Sequence, residues 1–459
     1  MSPDAHADAT ALPPFWPARQ HTALHDELHA RPPLLVRPGS IVSCWVNWRM
    51  DPAGAERALT ALCEAQGQPA PAPGSRHHVL VTPGWTLKFE RHGEFLSWQM
   101  CQELPDAGQV PDTARLASLW REASACAALP ERFTRALYAE NEAGALLSAA
   151  HVLLLPADDS TVSRCRHLLE RPEDDREHPP LIGSHIADGG ATLFTRLELG
   201  RDGFVRYVLL DHGLPPDQGA RAVQRVAEME AYRMLAMLGF PVAQKEAGEL
   251  AALEAQLQGI VDAMSNEDQH DDASALEALT RLAAEVEHSA SRTRYRFSAT
   301  RAYHAIVEDR VNGLREQRIP GLRTLSGFLG RRFQPAMALC DSTDRRLTDI
   351  AERINRALSL SRVRVEMTRE ASNQALFKAL VHRQRLQLQL QQTVEGLSVV
   401  AISYYTLSLV GYLAKAAKTL PWLEPFHLQP EVVVGVAVVP VVAAVAWFVH
   451  RIRMHHAVD

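Results

Sequence analysis

Two patterns of hydrophobic and polar residues meet near residue 216. Before it, short β-rich or alternating runs recur: Ser40 to Trp48 (SIVSCWVNW), His78 to Thr82, Thr86 to Arg91, Glu94 to Met100, Ala149 to Leu155, Ala191 to Leu199 and Phe204 to Leu210. A period of two is the mark of half-buried strands. His92–Gly93 and Arg201–Asp202–Gly203 lie between paired runs as hairpin turns. Helical spacing appears from Pro52 to Gln66 and over roughly residues 112 to 139. These elements predict an α+β domain over residues 19–216, preceded by an Ala/Pro-rich, disordered stretch at 1–18.

From Asp217 onward the sequence predicts helices and no strand. Gln218 to Leu238 is broken at Gly239–Phe240–Pro241, Glu249 to Met264 follows, and a long stretch runs from Ala273 to Gln317. Arg318–Ile319–Pro320–Gly321 is the next break, and Pro335 interrupts the run that begins at Leu322. Ser342 to Gln392 holds no Pro or Gly and would span about 75 Å as one helix. Leu347, Ile350, Ile354, Leu358, Val365, Leu376 and Leu380 give it a thin apolar seam among Arg, Glu and Gln. Residues 217–392 therefore read as a helical stalk with an imperfect coiled-coil register.

The last residues change character again. Gly396 to Ala414 is a run of 19 uncharged, mostly apolar residues, and Val432 to Val449 is a run of 18 with no Ser, Thr, Asn, Gln or charge. A bilayer-spanning helix needs about 17 or more. Core helices of a soluble domain usually keep a polar stripe, which the second run lacks. Pro421, Pro425 and Pro430 separate the two runs, so residues 393–450 are expected to form a transmembrane hairpin. Arg383, Arg385, Arg451 and Arg453 flank the hairpin, whereas Lys415 and Lys418 lie within it beside Glu424 and Glu431. That bias, with an opening segment lacking the form of a secretion signal, places both termini and the basic tail 451–459 in the cytoplasm. The expected location is the inner membrane, with the lipid bilayer as partner.

Composition narrows the function classes. The 459 residues are 46% hydrophobic and 22% charged, with a net charge of −6. An acidic balance argues against a general nucleic-acid binder. Six scattered cysteines, with no C-x-x-C, fit a reducing compartment and supply no zinc or disulfide pattern. No cofactor signature is present.

The chain resembles a family of bacterial membrane-anchored proteins grouped as domain of unknown function 3422. The resemblance rests on ELHARP (Glu27 to Pro32), LKFERHGEF (Leu87 to Phe95), ADGGATLFTRLEL with DGFVRYVLLD (Ala187 to Asp211), AEMEAYRMLAML (Ala227 to Leu238), TRYRFSATRAY (Thr293 to Tyr303) and the stretch from Leu390 to Lys418. It implies the two-span C-terminal anchor and no activity. The first motif takes in Glu27, His29 and Arg31 and leaves His25 outside.

Several groups of residues invite a chemical reading. His25 and His29 are spaced for one helix face, and HDELH is similar to the H-E-x-x-H zinc helix. Pro32 ends that helix and no third ligand follows, so Glu27, His29 and Arg31 are read as a polar cap or a ligand contact. Glu90, Arg91, His92 and Glu94 crowd the first hairpin turn, where acid, base and imidazole suit proton transfer, although exposed turns are commonly charged. Arg292, Arg294, Arg296 and Arg301 suit an anionic ligand or headgroup, unless Glu285, Glu287 and Glu308 neutralise them along one helix. Asp211–His212–Gly213 follows a strand, but no nucleophile elbow or phosphate loop accompanies it. In the first span, Ser398, Tyr405, Ser408 and Tyr412 share one face within about 80°, which suits helix packing or a pore lining.

Two functions follow as expectations. One is a membrane-anchored scaffold or regulator, acting through partners or as a homo-oligomer. The other is a CorA-like oligomeric channel passing a cation, since a cytoplasmic domain, long helices and two terminal spans match that plan. The Gly-Met-Asn triplet of CorA-type channels is missing; Gly411–Tyr412–Leu413 stands nearby.

Overall fold

A computed structural model describes residues 34–49, 51–138, 145–170, 178–266, 272–417 and 429–456. Its framework is a nine-stranded sheet in the order β2-β3-β4-β1-β5-β8-β7-β6-β9. The strands are β1 (Ser40–Trp48), β2 (His77–Val81), β3 (Trp85–Arg91), β4 (Phe95–Glu103), β5 (Ala145–Pro156), β6 (Ile182–Ile186), β7 (Ala191–Leu199), β8 (Val205–Asp211) and β9 (Gln317–Arg318). Neighbours pair antiparallel except β5 and β8, which are parallel.

Strand alternation gives the sheet two buried faces. On the first, Phe89, Trp98 and Trp45 are successive cross-strand partners, with Phe89–Trp98 centroids 4.6 Å apart and Trp98 stacked on Trp45 at 6.0 Å. This aromatic ladder packs against α1 (Pro52–Ala65), α2 (Thr113–Glu122), α3 (Glu131–Tyr138) and α4 (Asp159–Glu170) through Leu59, Leu62, Leu116, Leu119, Phe133 and Leu169. Local chemistry sets the helix starts. Asp51 accepts from the Ala53 and Gly54 N–H groups ahead of α1, with Pro52 in its first turn, and Asp112 accepts from Arg115 N–H in α2.

The second face is covered by α5 (Pro216–Met237), which lies over β5 and β1. It continues almost directly into α6 (Gly239–Ser265): Pro241 falls within the first turn, where a missing N–H costs nothing, so the expected break is only a junction. Gly239 allows the close approach there, because a Cβ would lie 2.3 Å from Thr300 Oγ1 on α7 (Asp272–Gly313). Two further helices complete this part of the chain, α8 (Leu325–Arg332) and the start of α9 (Gln334–Ala417). Apolar positions of α6, α7 and α9 are buried, including Leu250, Leu257, Leu282, Val286, Ile350 and Ile354. Ion pairs join the three helices: Arg292 to Glu246 and Glu249, Arg346 to Glu254, and Arg301 to Asp341 and Asp344.

Three expectations need correction. A strand does occur after residue 217, since β9 adds a two-residue edge beside β6. The long helical reading at 112–139 is split by a 3-10 turn at Ala125–Ala128 into α2 and α3. Helix α4 and strand β6 were not anticipated; β6 is short, and its HI-ending run offers too few alternations to register.

The chain forms two compact units, one of Met1–Gln269 with Glu277–Ala357, the other of His270–Leu276 with Leu358–Asp459. The change of character at residue 217 is thus a change of secondary structure inside one unit. The second unit holds the later part of α9 and α10 (Pro430–His456). In both helices the most apolar stretches are long and apolar enough to cross a membrane; 6% of the first such window and none of the second is buried.

Candidate functional site

The floor of a cavity between the sheet and α5 is written in strand register. Lys88 on β3 pairs across to Gln99 on β4, Gln99 to Cys44 on β1, and Cys44 to Ala150 on β5. The next row, two residues along, is Glu90, Ser97, Val46 and Ser148. Directly opposed residues on one face lie about 5 Å apart, so these two rows form a continuous surface. Small residues in its middle face Ala227 and Ala231 on α5, which leaves a cavity of about 220 Å³ between sheet and helix. Gln224, Glu228 and Tyr232 of α5, with Arg310 of α7, close its walls.

The cavity is charged although buried. The Lys88 ammonium, 3% exposed, is 3.2 Å from Glu90 Oε1. Across the cavity wall, Glu228 accepts from Gln224 Nε2 at 2.7 Å and from Arg310 Nε. Burial, with the neighbouring Cys126, Cys101 and Glu228, holds the Cys44 thiol far above its ordinary range. Cys44 therefore stays protonated at neutral pH and is no activated nucleophile.

At the mouth, His92 stacks on Phe95 with centroids 4.2 Å apart, and Phe95 meets Tyr232 and Tyr303 edge-on. Glu94 is clamped there by Arg296, through contacts of 2.6 and 3.2 Å, and by the Tyr303 hydroxyl, which donates at 2.7 Å. Burial works to raise the Glu94 carboxyl, but these hydrogen bonds and the Arg296 charge outweigh it and hold it below the usual carboxylate range. The same contact raises the Tyr303 phenol, after burial itself.

The residues anticipated around the first hairpin turn are thus distributed rather than gathered. Glu90 enters the cavity, Arg91 donates to the Gly74 carbonyl at 2.8 Å, His92 covers Phe95, and Glu94 binds α7. Three of the four arginines singled out on α7 are neutralised, not along the helix but by partners from other elements: Glu246 and Glu249 for Arg292, Glu94 for Arg296, and Asp341 and Asp344 for Arg301; Arg294 has no ion pair among the described residues. Asp211 accepts from the Gly213 and Leu214 N–H groups, closing the turn after β8, while His212 contacts Thr192. Glu27, His29 and Arg31 lie outside the described residues, as does His25.

A second polar cluster has the composition of a catalytic triad. Ser43 Oγ lies 2.8 Å from His151 Nδ1, and His151 Nε2 lies 3.4 Å from Asp202 Oδ2. Ser43 is fully buried and already accepts the Ala125 N–H, while the His151 ring is sealed under Phe204 at 4.0 Å. No substrate reaches that hydroxyl. Among the described residues, no group of three or more His, Cys, Asp or Glu side chains is placed to hold a metal.

In the second unit, Tyr405 and Tyr412 are 68% and 71% exposed and Ser398 and Ser408 half-buried, whereas Ser403 is the buried hydroxyl. Gly411 is the point of close approach to α10, where a Cβ would lie 3.3 Å from Val434. The hydroxyl-bearing face anticipated on the first apolar helix is therefore not the one that meets α10. Ser398 and Thr406 return their hydroxyl protons to the carbonyls of Val394 and Ile402.

A family model described as "Protein of unknown function (DUF3422)" matches residues 16–456. The chain belongs to that family. No curated protein matches it. Two of the stretches that carry the DUF3422 resemblance line the cavity: LKFERHGEF supplies Lys88, Glu90, His92 and Phe95, and AEMEAYRMLAML supplies Ala227, Glu228, Ala231 and Tyr232, while TRYRFSATRAY supplies the Arg296 and Tyr303 that hold Glu94 beside it. Tyr207, from DGFVRYVLLD, donates to Glu230 at 2.7 Å just beyond, and Arg233 completes that buried group. Lys88, Gln99, Glu228 and Arg310 were not singled out by sequence. On β3 the order Leu87-Lys88-Phe89-Glu90 reads as a strand with one wet face, and only the helix laid over that face makes it interior.

Proposed function

We propose that this DUF3422 protein is anchored in the inner membrane by two helices, with both termini cytoplasmic, and acts as a scaffold or regulatory module through partners or self-association. The observation that supports this is the near-total exposure of the two apolar helices. Leu397, Val436 and Val439 are each more than 70% exposed. Apolar surface of that extent is unfavourable in water by about 25 cal/mol per Å² and is at ease only against lipid or protein. The seam of α9 supports self-association, since Leu376 and Leu380 are 63% and 56% exposed at a spacing that a parallel copy would fill.

The test is fractionation followed by exchange of the anchor. The intact chain stays in the membrane pellet after a carbonate wash, and reporter fusions at both ends give the cytoplasmic signal. Replacing the two spans with an unrelated two-span anchor leaves the phenotype of a deletion strain fully complemented. Release into the supernatant defeats the membrane reading, and failed complementation with correct targeting defeats the scaffold reading.

A channel remains the second reading, because the exposed Tyr405 and Tyr412 share a face with Ser398 and Ser408 that α10 leaves uncovered. Two spans per chain cannot enclose a pore, so this reading requires a ring of several subunits with the first spans innermost. A monomer or dimer in mild detergent rules it out.

A further inference from the structure

The cavity between the sheet and α5 pairs two kinds of group that seldom share a buried space without a purpose. Burying an ammonium is costly unless its donors are satisfied. Among the described residues Lys88 has one partner, Glu90, for three N–H donors. Beside it in register, Gln99 is 9% exposed and lines the same space, and its amide has no hydrogen-bond partner among the described residues. Two donors of Lys88 and the amide of Gln99 therefore face the cavity together.

The fixed charges of the walls cancel: Lys88 and Arg310 against Glu90 and Glu228. A free anion would gain Lys88 but meet two carboxylates, and a free cation would face the converse. A molecule carrying both charges meets a partner at each end. Ser97 and Ser148, in the row of Glu90, add hydroxyls beside the carboxylate. At about 220 Å³ the space is smaller than the pockets that hold drug-sized ligands, which start near about 300 Å³.

We infer that the cavity is a binding site for a small zwitterion of amino-acid size, its carboxylate held by Lys88 and Gln99 and its amine directed to Glu90. The site lies wholly within the unit that contains the sheet, so it stands whether or not the membrane reading does.

The experiment uses the full chain in detergent, with thermal unfolding followed against the twenty common amino acids and glycine betaine, each at 10 mM. Acetate, methylamine and inorganic phosphate are run alongside. At least one zwitterion raises the unfolding temperature by several degrees, as expected for a ligand well above its Kd, and the three single-charge probes do not. The shift disappears in Gln99→Leu and in Ala227→Met, which fills the cavity and leaves all four charges in place. Lys88→Met with Glu90→Gln, which removes the pair without stranding a charge, also abolishes it. The inference is overturned if no zwitterion shifts the transition, if acetate or phosphate does so equally well, or if the shift survives in Ala227→Met. Should Ala227→Met fail to fold, Gln99→Leu decides alone.

Discussion

At the scale of single residues, Glu94 carries the most. Its carboxylate is nine-tenths buried and engaged by Arg296 and Tyr303 at once. Glu94→Ala leaves a guanidinium and a phenol inside with nothing to bind, and is expected to cost about 3 kcal/mol in chemical denaturation. Its pH behaviour has a definite sign. The folded carboxyl titrates below its unfolded value of about 4.3, so the folded chain binds fewer protons in acid than the unfolded chain. Its contribution is complete above about pH 4.3 and is lost as pH falls through the lower, folded value. Glu94→Gln should flatten that limb of a stability profile measured from pH 3 to 7. His151 behaves in the same direction: burial lowers it, ahead of the opposing Asp202 contact, so its contribution fades as pH falls below about 6.5. Ser43→Ala removes an acceptor for the Ala125 N–H and a partner of His151, and should cost about 1–3 kcal/mol by urea midpoint.

At the scale of elements, helix α5 is the piece on which the site depends. One side covers the sheet and the other meets α7, so its internal glutamate and its junction with α6 both matter. Gly239→Ala places a methyl 2.3 Å from the Thr300 hydroxyl at the α5–α6 junction, and overpacking there is expected to cost about 1–3 kcal/mol, read as a lowered Tm. Tyr207→Phe tests the grip of α5 on β8. It removes the 2.7 Å donation to Glu230 but leaves the Glu230–Arg233 pair, so a loss of about 1 kcal/mol is expected. The existence of most elements could be read from the sequence, because alternation over seven to nine residues in β1, β4 and β8 and helical spacing from Pro52 to Gln66 are local signals. The partners of those elements could not. Arg296 is two hundred and two residues from Glu94, and nothing near either one points to the other.

At the scale of the whole molecule, the proposed membrane anchorage rests on the two apolar helices. On the proposed membrane anchorage, Val441→Arg, in the middle of the second one, adds roughly 3 kcal/mol to its insertion and should lower the share of the chain kept in a carbonate-washed pellet. The unit that contains the sheet should keep its unfolding transition in that variant, since Val441 belongs to the other unit.

By itself the sequence determined what short-range physics controls: a strand-rich front, a helical remainder, and two stretches long and apolar enough to cross a membrane. Strand period, helix period and run length depend only on neighbouring residues, and all three can be counted along the chain. The tertiary structure alone decided which face of β3 is interior, that Lys88 stands beside Gln99, and that Ser43 is sealed away. Those facts depend on what α5 and Phe204 happen to cover, and burial by a distant element leaves no mark on the residues it buries.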